Sequence, residues 1–236
     1  MTGAVIFDFY GTLARWQDRH DANYPAVFAA HGYQLSDNIL TAYFDRYDGV
    51  AHAEHSVNAT TYEAWVRSRL GDLAIACEVA EVDRGRIVEA LRVSDRDAMV
   101  AYPEAAPTLR ALRENGWLIG VCSNWGWELN SFLEQVELLS LVDSAVTSAR
   151  AGARKPHPII FQHAIDLLGV AFDEVVFVGD SWRPDVEGPI GLGMTAVHVW
   201  RPEERGELQP PELVAGAYRV GDLSEIPMLL SSLSLG

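Results

Sequence analysis

The chain has 236 residues, of which 49% are hydrophobic and 22% are charged. This length allows a sizeable buried core and fits one catalytic domain with a smaller inserted one. Lys and Arg number 18 against 33 Asp and Glu, so the formal net charge is −15. That charge argues against nucleic acid and anionic membranes as partners. We expect a monomer or homodimer whose substrate, if it is a small anion, is attracted by local positive charge.

The first predicted element is a buried strand near residues 3–8, which contains the apolar run Ala4-Val5-Ile6-Phe7. It begins too early to leave room for a signal peptide, and no apolar run reaches membrane-spanning length. We therefore expect a cytoplasmic protein. Cys77 and Cys122 lie far apart in the chain and are predicted to be buried free thiols.

The strand leads directly into Asp8-Phe9-Tyr10-Gly11-Thr12. In open α/β sheets the carboxyl ends of strands are where ligands bind, so Asp8 is a candidate nucleophile. Gly11 allows a sharp turn that brings backbone N–H groups close to a substrate, and Thr12 places a hydroxyl beside the carboxylate. Taken alone, this motif is explained equally well as an Asp-Gly turn with a purely structural role.

Residues 15–97 are predicted to be helical throughout and to form an inserted domain. Thr60 and Glu63 form a capping-box pattern, and apolar residues with Arg69 follow at helical spacing. The linkers are expected near Ala14 to Asp18 and Asp97 to Tyr102. The predicted domains are thus a core of residues 1–14 and 98–236 and an insert of residues 15–97. Within the insert, three polar residues indicate a solvated helix face rather than a zinc site: His52, Glu54 and His55.

Beyond the insert, strands alternate with helices. Strands are predicted near residues 117–122, 144–147, 174–179 and 195–199, with a further edge strand at 217–220, and helices near 104–114, from Leu129 and from Pro158. This alternation predicts an α/β fold with a three-layer, Rossmann-like parallel sheet. Pro189 predicts that the helix after Asp185 begins late or is irregular, and Arg201 to Pro211 is predicted to be a charged loop.

Three further segments place polar residues after or between these elements. Ser123-Asn124 follows one strand, Lys155 precedes a helix, and Asp180 follows another strand with Asp185 five residues later. A carboxylate that attacks an anionic phosphoryl group needs nearby cations and hydrogen-bond donors, which Lys155 and Ser123 can supply. The structural alternative for Asp180 and Asp185 is a helix N-cap and a first-turn acid.

In order and spacing, the four motifs resemble those of the haloacid dehalogenase-like hydrolase superfamily over nearly the whole chain. The resemblance implies that the insert is an α-helical cap that closes over the site, and that Mg²⁺ is the cofactor. It implies these roles: catalytic residues Asp8, Tyr10, Thr12, Ser123 and Lys155; substrate-binding residues Ser123, Asn124, Lys155, Trp16 and Trp125; metal ligands Asp8, Tyr10 through its carbonyl, Asp180, and Asp185 directly or through water. For Trp16 and Trp125, core packing is an equally good interpretation.

Two departures from the family pattern bear on the reaction. Most family phosphatases carry a second Asp as general acid where this chain has Tyr10, whereas the dehalogenases carry Tyr there because a halide leaves without a proton. Those dehalogenases, however, need no metal, have Ser and Asn in place of Asp180 and Trp182, and have Tyr in place of Phe161. We therefore favour a magnesium-dependent phosphatase over a metal-independent 2-haloacid dehalogenase, with a catalytically weak ligand-binding protein as a third possibility.

Two smaller features complete the resemblance. The segment from Gly179 through Met194 is similar to the branch called haloacid dehalogenase-like hydrolase domain-containing protein 3, which also lacks Asp at the position of Tyr10. Arg46 in the insert is a candidate for binding a substrate carboxylate, as an Arg does in the dehalogenases.

Overall fold

The computed structural model describes residues 3–17, 23–94, 99–206 and 208–233. Its main sheet has six parallel strands in the order β5-β4-β1-β6-β7-β8. Within the described ranges the strands are β1 Ala4–Phe7, β2 Ala14–Trp16, β3 Met99–Ala101, β4 Leu118–Ser123, β5 Ser144–Thr147, β6 Val175–Gly179, β7 Thr195–Val199 and β8 Ala217–Val220. The predicted strands, including the edge strand, are confirmed.

Helices cover both faces of this sheet. The helices are α1 Asn23–Ala30, α2 Asp37–Tyr47, α3 Ala59–Ala76, α4 Glu81–Ser94, α5 Ala105–Glu114, α6 Leu129–Gln135, α7 Ser148–Ala151, α8 Pro158–Leu168, α9 Gly188–Ile190, α10 Pro202–Arg205 and α11 Ile226–Ser232. Single helical turns occur at Ala53–His55, Leu139–Leu141, Phe172–Glu174 and Leu223–Glu225. Among the described helices, none has the length and apolar character needed to span a lipid bilayer.

The core follows from the alternation of side chains along β1. Val5 and Phe7 pack in one cluster with residues of α5, α6 and α11, whereas Ala4 and Ile6 pack in another with residues of α8. All four side chains are fully buried. A strand buried on both faces is the signature of a parallel sheet between two helical layers, so the predicted three-layer α/β fold is confirmed.

Helices α1–α4 form the helical cap and have an apolar core of their own, built from residues such as Phe28, Leu73 and Leu91. The helix predicted to start with a capping box at Thr60 begins at Ala59 instead, because the Asn58 side chain accepts a hydrogen bond of 2.9 Å from the Thr61 amide. The prediction that 15–97 is the exact insert stays a prediction, and Asp18 and Asp97 lie outside the described residues.

The chain passes between the sheet and the cap twice, and the two connecting segments pair with each other. Strand β2 runs antiparallel to β3, with Ala14 opposite Ala101 and Trp16 opposite Met99. The predicted linkers are thus, in part, a two-stranded ribbon, and the prediction that residues 15–97 are helical throughout is wrong at Arg15 and Trp16, which belong to β2.

The segment after β6 is irregular, as Pro189 predicts. Arg183–Glu187 forms a single π-helical turn, and α9 begins only at Gly188. Proline has no backbone N–H to donate to a regular α-helical ladder, so the helix is broken into these two pieces. The charged loop predicted from Arg201 to Pro211 is only partly a loop, because α10 occupies its first residues.

Candidate active site

The carboxyl ends of three neighbouring strands form the floor of the site. Asp8 follows β1, Ser123 ends β4, and Asp180 follows β6. Because β1 lies between β4 and β6 in parallel register, with Phe7 opposite Val121 and Val178, all three polar residues emerge at the same sheet edge. This is the edge at which open α/β sheets bind ligands.

Three carboxylates converge here. Asp8, Asp180 and Asp185 each offer an oxygen within 4.8 Å of those of the other two. Lys155 lies among them: its Nζ is 2.8 Å from Asp8 Oδ1 and 2.7 Å from Asp185 Oδ1. The ammonium and the Asp185 carboxylate are almost entirely withdrawn from water, so this is a buried charge cluster.

Burial makes the cluster electrostatically costly. Loss of hydration raises the pKa of Asp180 to about 6, and the nearby Asp8 charge adds to that rise. Loss of hydration also raises the pKa of Asp185, although Lys155 opposes the shift. Burial alone lowers the pKa of Lys155, but Asp185 and Asp8 outweigh it and raise that pKa overall. A divalent cation among the carboxylates relieves such repulsion.

The donor set fits Mg²⁺. The cluster offers carboxylate oxygens, the ligand type that Mg²⁺ prefers. Two glycines leave room for these carboxylates: a Cβ on Gly11 would lie 2.7 Å from the Asp180 carboxylate, and a Cβ on Gly179 would overlap the Asp185 side chain. Thr12 Oγ1 is buried at the same turn and has no hydrogen-bond partner among the described residues.

Asn124 holds the loop that carries Lys155. Its Nδ2 donates to the Lys155 carbonyl at 3.0 Å, and its Oδ1 accepts from the Lys155 amide at 2.6 Å. The sequence predicts substrate binding by Asn124, and the structure adds this positioning contact. Asn124 also borders the cavity between cap and sheet.

Tyr10, Trp16 and Trp125 form an aromatic cluster. The Tyr10 ring stacks on Trp125 with centroids 6.4 Å apart and lies 6.3 Å from Trp16. All three border a cavity of about 820 Å³ between the sheet edge and the cap. The two interpretations of the tryptophans are therefore compatible, because the same rings pack together and line a cavity.

Three basic residues at the site were not predicted. Arg205 Nη2 donates to Asp180 Oδ2 at 2.6 Å, and it borders a second cavity of about 190 Å³ beside Tyr10 and Gly11. Buried Arg201 donates to the Gly11 carbonyl at 2.8 Å and to Glu104 at 2.8 Å. His198 Nε2 lies 3.1 Å from the Asp180 carbonyl. The two arginines lie in the charged segment Trp200-Arg201-Pro202-Glu203-Glu204-Arg205, which local sequence gives no reason to place at the site, and His198 lies within a strand.

The predicted surface position of His52 is wrong. Its side chain is buried, stacks on Trp65 with centroids 4.3 Å apart, and shares a hydrogen bond of 3.0 Å with Ser56 Oγ. The sequence could not show this, because burial results from contact between the turn and α3. Glu54 is exposed as expected. Within the described residues, the acidic cluster is the group identified as able to hold a metal, and His52 is not part of it.

Comparison with known proteins places these features in a family. A family model described as haloacid dehalogenase-like hydrolase matches residues 2–193. (S)-2-haloacid dehalogenase 1 of Pseudomonas sp. (strain CBS-3) is 31% identical over 98% of this chain and 97% of its own length. Glyceraldehyde 3-phosphate phosphatase of Methanopyrus kandleri is 33% identical over 54% of this chain and 55% of its own length. Several curated relatives are thus matched over only about half of their length.

The expected branch is also confirmed. Haloacid dehalogenase-like hydrolase domain-containing protein 3 of Bos taurus is 37% identical over 42% of this chain and 39% of its own length. Among solved structures, a HAD phosphatase from Thermococcus onnurineus has a TM-score of 0.64 at 25% identity, and a dehalogenase has 0.65 at 26%. Each covers 98% of both chains. With its strand-end motifs gathered at one sheet edge and a family match over most of its length, this chain belongs to the haloacid dehalogenase-like hydrolases.

Proposed function

We propose that this hydrolase is a magnesium-dependent phosphatase that acts on a small organic phosphate. The observation that carries the proposal is the convergence of Asp8, Asp180 and Asp185 on one point with oxygen ligands suited to Mg²⁺. Lys155 and Arg205 pair with these three carboxylates and offset only part of their negative charge, and a divalent cation would offset the remainder.

In this proposal Asp8 is the nucleophile. One of its carboxylate oxygens attacks phosphorus, the bond to the leaving oxygen breaks, and an aspartyl-phosphate forms on Asp8; water then attacks phosphorus and restores the carboxylate. Lys155 and the Ser123 hydroxyl bind phosphoryl oxygens, and the buried Thr12 hydroxyl is a further donor at the same turn. Asn124 keeps Lys155 in place through its two hydrogen bonds.

Asp8, Asp180, Asp185 and the Tyr10 carbonyl would hold the Mg²⁺. When bound, the ion supplies positive charge that offsets the repulsion between the attacking carboxylate and the phosphoryl group. The site lacks the usual general acid that protonates the leaving group, because Tyr10 stands in its place. A missing general acid costs about 10²–10⁴-fold in rate. The enzyme is therefore expected to favour substrates whose leaving group departs without a proton.

The proposal is tested by phosphate release from sugar, nucleotide and aryl phosphates, with and without Mg²⁺. We expect phosphate release that is abolished by chelator and by Asp8→Asn. The control Asp173→Asn, at an exposed position just before β6 and so at the end of that strand opposite Asp180, should leave release unchanged. Release that persists in Asp8→Asn, or no release from any phosphate, contradicts the proposal.

A second candidate is metal-independent dehalogenation of a short 2-haloacid, in which Asp8 displaces halide and water cleaves the resulting ester. The position of Tyr10 in an aromatic cluster favours it, as does the similarity to (S)-2-haloacid dehalogenase 1 over almost the full chain. Halide release from 2-chloropropionate in the presence of chelator would establish this candidate over the first. Ligand binding without product in either assay would indicate the third possibility, a protein with little turnover.

A further inference from the structure

The cavity between cap and sheet contains a buried cation. Arg69, on α3, lies at the cap side of the cavity of about 820 Å³, and Tyr10 and Asn124 border it on the sheet side. A cavity of this size can enclose a small metabolite. Its lining is mixed: aromatic and aliphatic side chains such as Tyr43, Tyr62, Leu70 and Phe132 share it with the charged residues Glu63, Arg92, Glu128 and Arg154.

Arg69 has aromatic neighbours in place of an acid. Its residue is only 6% exposed, and its guanidinium carbon lies 4.1 Å from the ring centroid of Tyr47, 4.6 Å from that of Trp65 and 5.4 Å from that of Tyr43. Its Nε–H has no hydrogen-bond partner among the described residues. Ring faces offset only part of the cost of burying a charge.

Other arginines of the cap and its rim have carboxylate partners. Arg92 pairs with Glu63, and Arg154 pairs with Asp48 at 2.9 Å. Arg46, the candidate carboxylate ligand suggested by the resemblance, pairs with Asp72 and has 67% of its side chain exposed. Arg92 and Arg154 border the same cavity, but within the described chain no acidic side chain forms an ion pair with Arg69, and this absence of a carboxylate partner distinguishes it from them.

We propose that Arg69 binds a carboxylate of the substrate, whose other end presents the phosphate to Asp8. For the phosphate end of the substrate, the inference rests on the proposed function. For the carboxylate end, it rests on Arg69 alone. Arg69 borders the cavity, and a planar guanidinium can donate two parallel hydrogen bonds to a carboxylate. The aromatic and aliphatic part of the lining fits an apolar or aromatic body between the two charged groups. The substrate class is therefore a carboxylate-bearing phosphate monoester with an apolar middle.

The test measures binding rather than turnover. Isothermal titration calorimetry with Mg²⁺ compares phosphonocarboxylates of increasing chain length, from phosphonoacetate upward, with their carboxamide analogues. A second series of arylalkyl carboxylates and their amides, from phenylacetate upward, contains no phosphonate and so does not depend on the phosphate site. We expect the carboxylate to bind about tenfold or more tightly than the amide at one chain length or more.

Variants then assign the difference to Arg69. Arg69→Gln should remove the preference for carboxylate, Arg69→Lys should keep part of it, and Arg46→Gln, the matched control on the same cap, should keep all of it. Equal binding of carboxylate and amide in both series by the unaltered protein overturns the inference, and so does a preference that survives in Arg69→Gln. If Arg69→Gln does not fold, the preference for carboxylate over amide in Arg69→Lys, compared with that in the unaltered protein, still tests the inference.

The two proposals fail separately. Absence of Asp8-dependent phosphate release refutes the phosphatase while leaving Arg69-dependent binding of arylalkyl carboxylates measurable. Conversely, phosphate release with no preference for carboxylate in either series leaves the phosphatase intact and refutes the role of Arg69.

Discussion

The Tyr10 side chain lies against Trp16 and Trp125 at the mouth of the cavity, two residues beyond the proposed nucleophile. If only its missing acid limits the phosphatase, Tyr10→Asp should supply a proton donor near the leaving oxygen. We expect turnover of an alkyl phosphate to rise about tenfold or more, and that of 4-nitrophenyl phosphate to change much less, since nitrophenolate leaves unprotonated. Steady-state kinetics on both substrates measure the difference.

Tyr10→Asn is the matched control, because it removes the same ring and adds no acid. An equal loss on both phosphates in Tyr10→Asp, in a variant that still folds and binds Mg²⁺, would refute the missing-acid explanation. An increase shared by Tyr10→Asn would indicate that removal of the ring, rather than a new proton donor, is responsible.

Glycine at the end of β6 allows the acidic cluster to close. A Cβ on Gly179 would overlap Asp185, while a Cβ on Gly85, in α4, would meet nothing within 4 Å. Gly179→Ala should therefore displace the Asp185 carboxylate, weaken Mg²⁺ binding about tenfold or more, and destabilise the fold by about 1–3 kcal/mol. Calorimetric Mg²⁺ titration and urea unfolding measure the two effects.

The control, Gly85→Ala, should change stability in the opposite direction, by up to about 1 kcal/mol, because alanine is the better helix former. Unaltered Mg²⁺ affinity in Gly179→Ala would contradict the assignment of Asp185 to the metal site.

The turn Ala53–His55 makes the cap sensitive to acid. Burial lowers the pKa of the preceding His52 to about 4 from its ordinary 6.5. Between these values the unfolded chain takes up a proton that the folded chain does not, so stability is lost as the pH falls from 6.5 towards 4. In His52→Gln this part of the loss should disappear, so that thermal midpoints measured at pH 7.5 and pH 5 lie closer together than in the unaltered protein.

His163→Gln, at an exposed position on α8, should leave that difference unchanged. Burial of His198 also lowers its pKa to about 4, so the His52 variant should keep a residual acid sensitivity. A difference in thermal midpoints as large in His52→Gln as in the unaltered protein would show that His52 is not a source of it.

At the scale of helices and strands, the sequence predicts most of the elements that the structure contains. Apolar runs such as Val175-Val176-Phe177-Val178 identify buried strands, and the polar residue after each run identifies the site edge. The start of α3 was mispredicted, because Asn58 and Thr60 are both good capping residues and local sequence does not rank them. Arg69 was placed on a helix, but its burial was not predicted, since arginines are seldom buried and only the packed rings of α2 and α3 reveal it.

The whole molecule brings together residues that the sequence separates widely. Arg201 reaches the carbonyls of Gly11 and Thr12, about 190 positions earlier, and no local pattern indicates such a contact. Cap and sheet also meet away from the ribbon: Asp48 accepts two hydrogen bonds from Arg154, and the Arg154 amide donates to the Val50 carbonyl at 3.2 Å.

This second contact is expected to restrain the cap. Asp48→Asn removes the charge of a partly buried ion pair, which should cost about 1 kcal/mol and loosen the docking of cap on sheet. Hydrogen exchange of the backbone amides of His52 and Arg154, which bond across this contact, should accelerate about fivefold. Asp166→Asn, at an exposed position on α8, serves as the control, and unchanged exchange in Asp48→Asn would show that the pair does not hold the cap.

The ribbon of β2 and β3 limits how the cap can move relative to the sheet. Two unpaired linkers would let the cap both swing and twist. Because β2 and β3 are hydrogen-bonded to each other, they are expected to bend together. Since Trp16 lies at the cap end of this ribbon, opposite Met99, any swing carries its indole relative to Trp125 on the sheet. The distance between the Trp16 and Trp125 rings, whose centroids are 6.1 Å apart, is therefore expected to change when the cap swings.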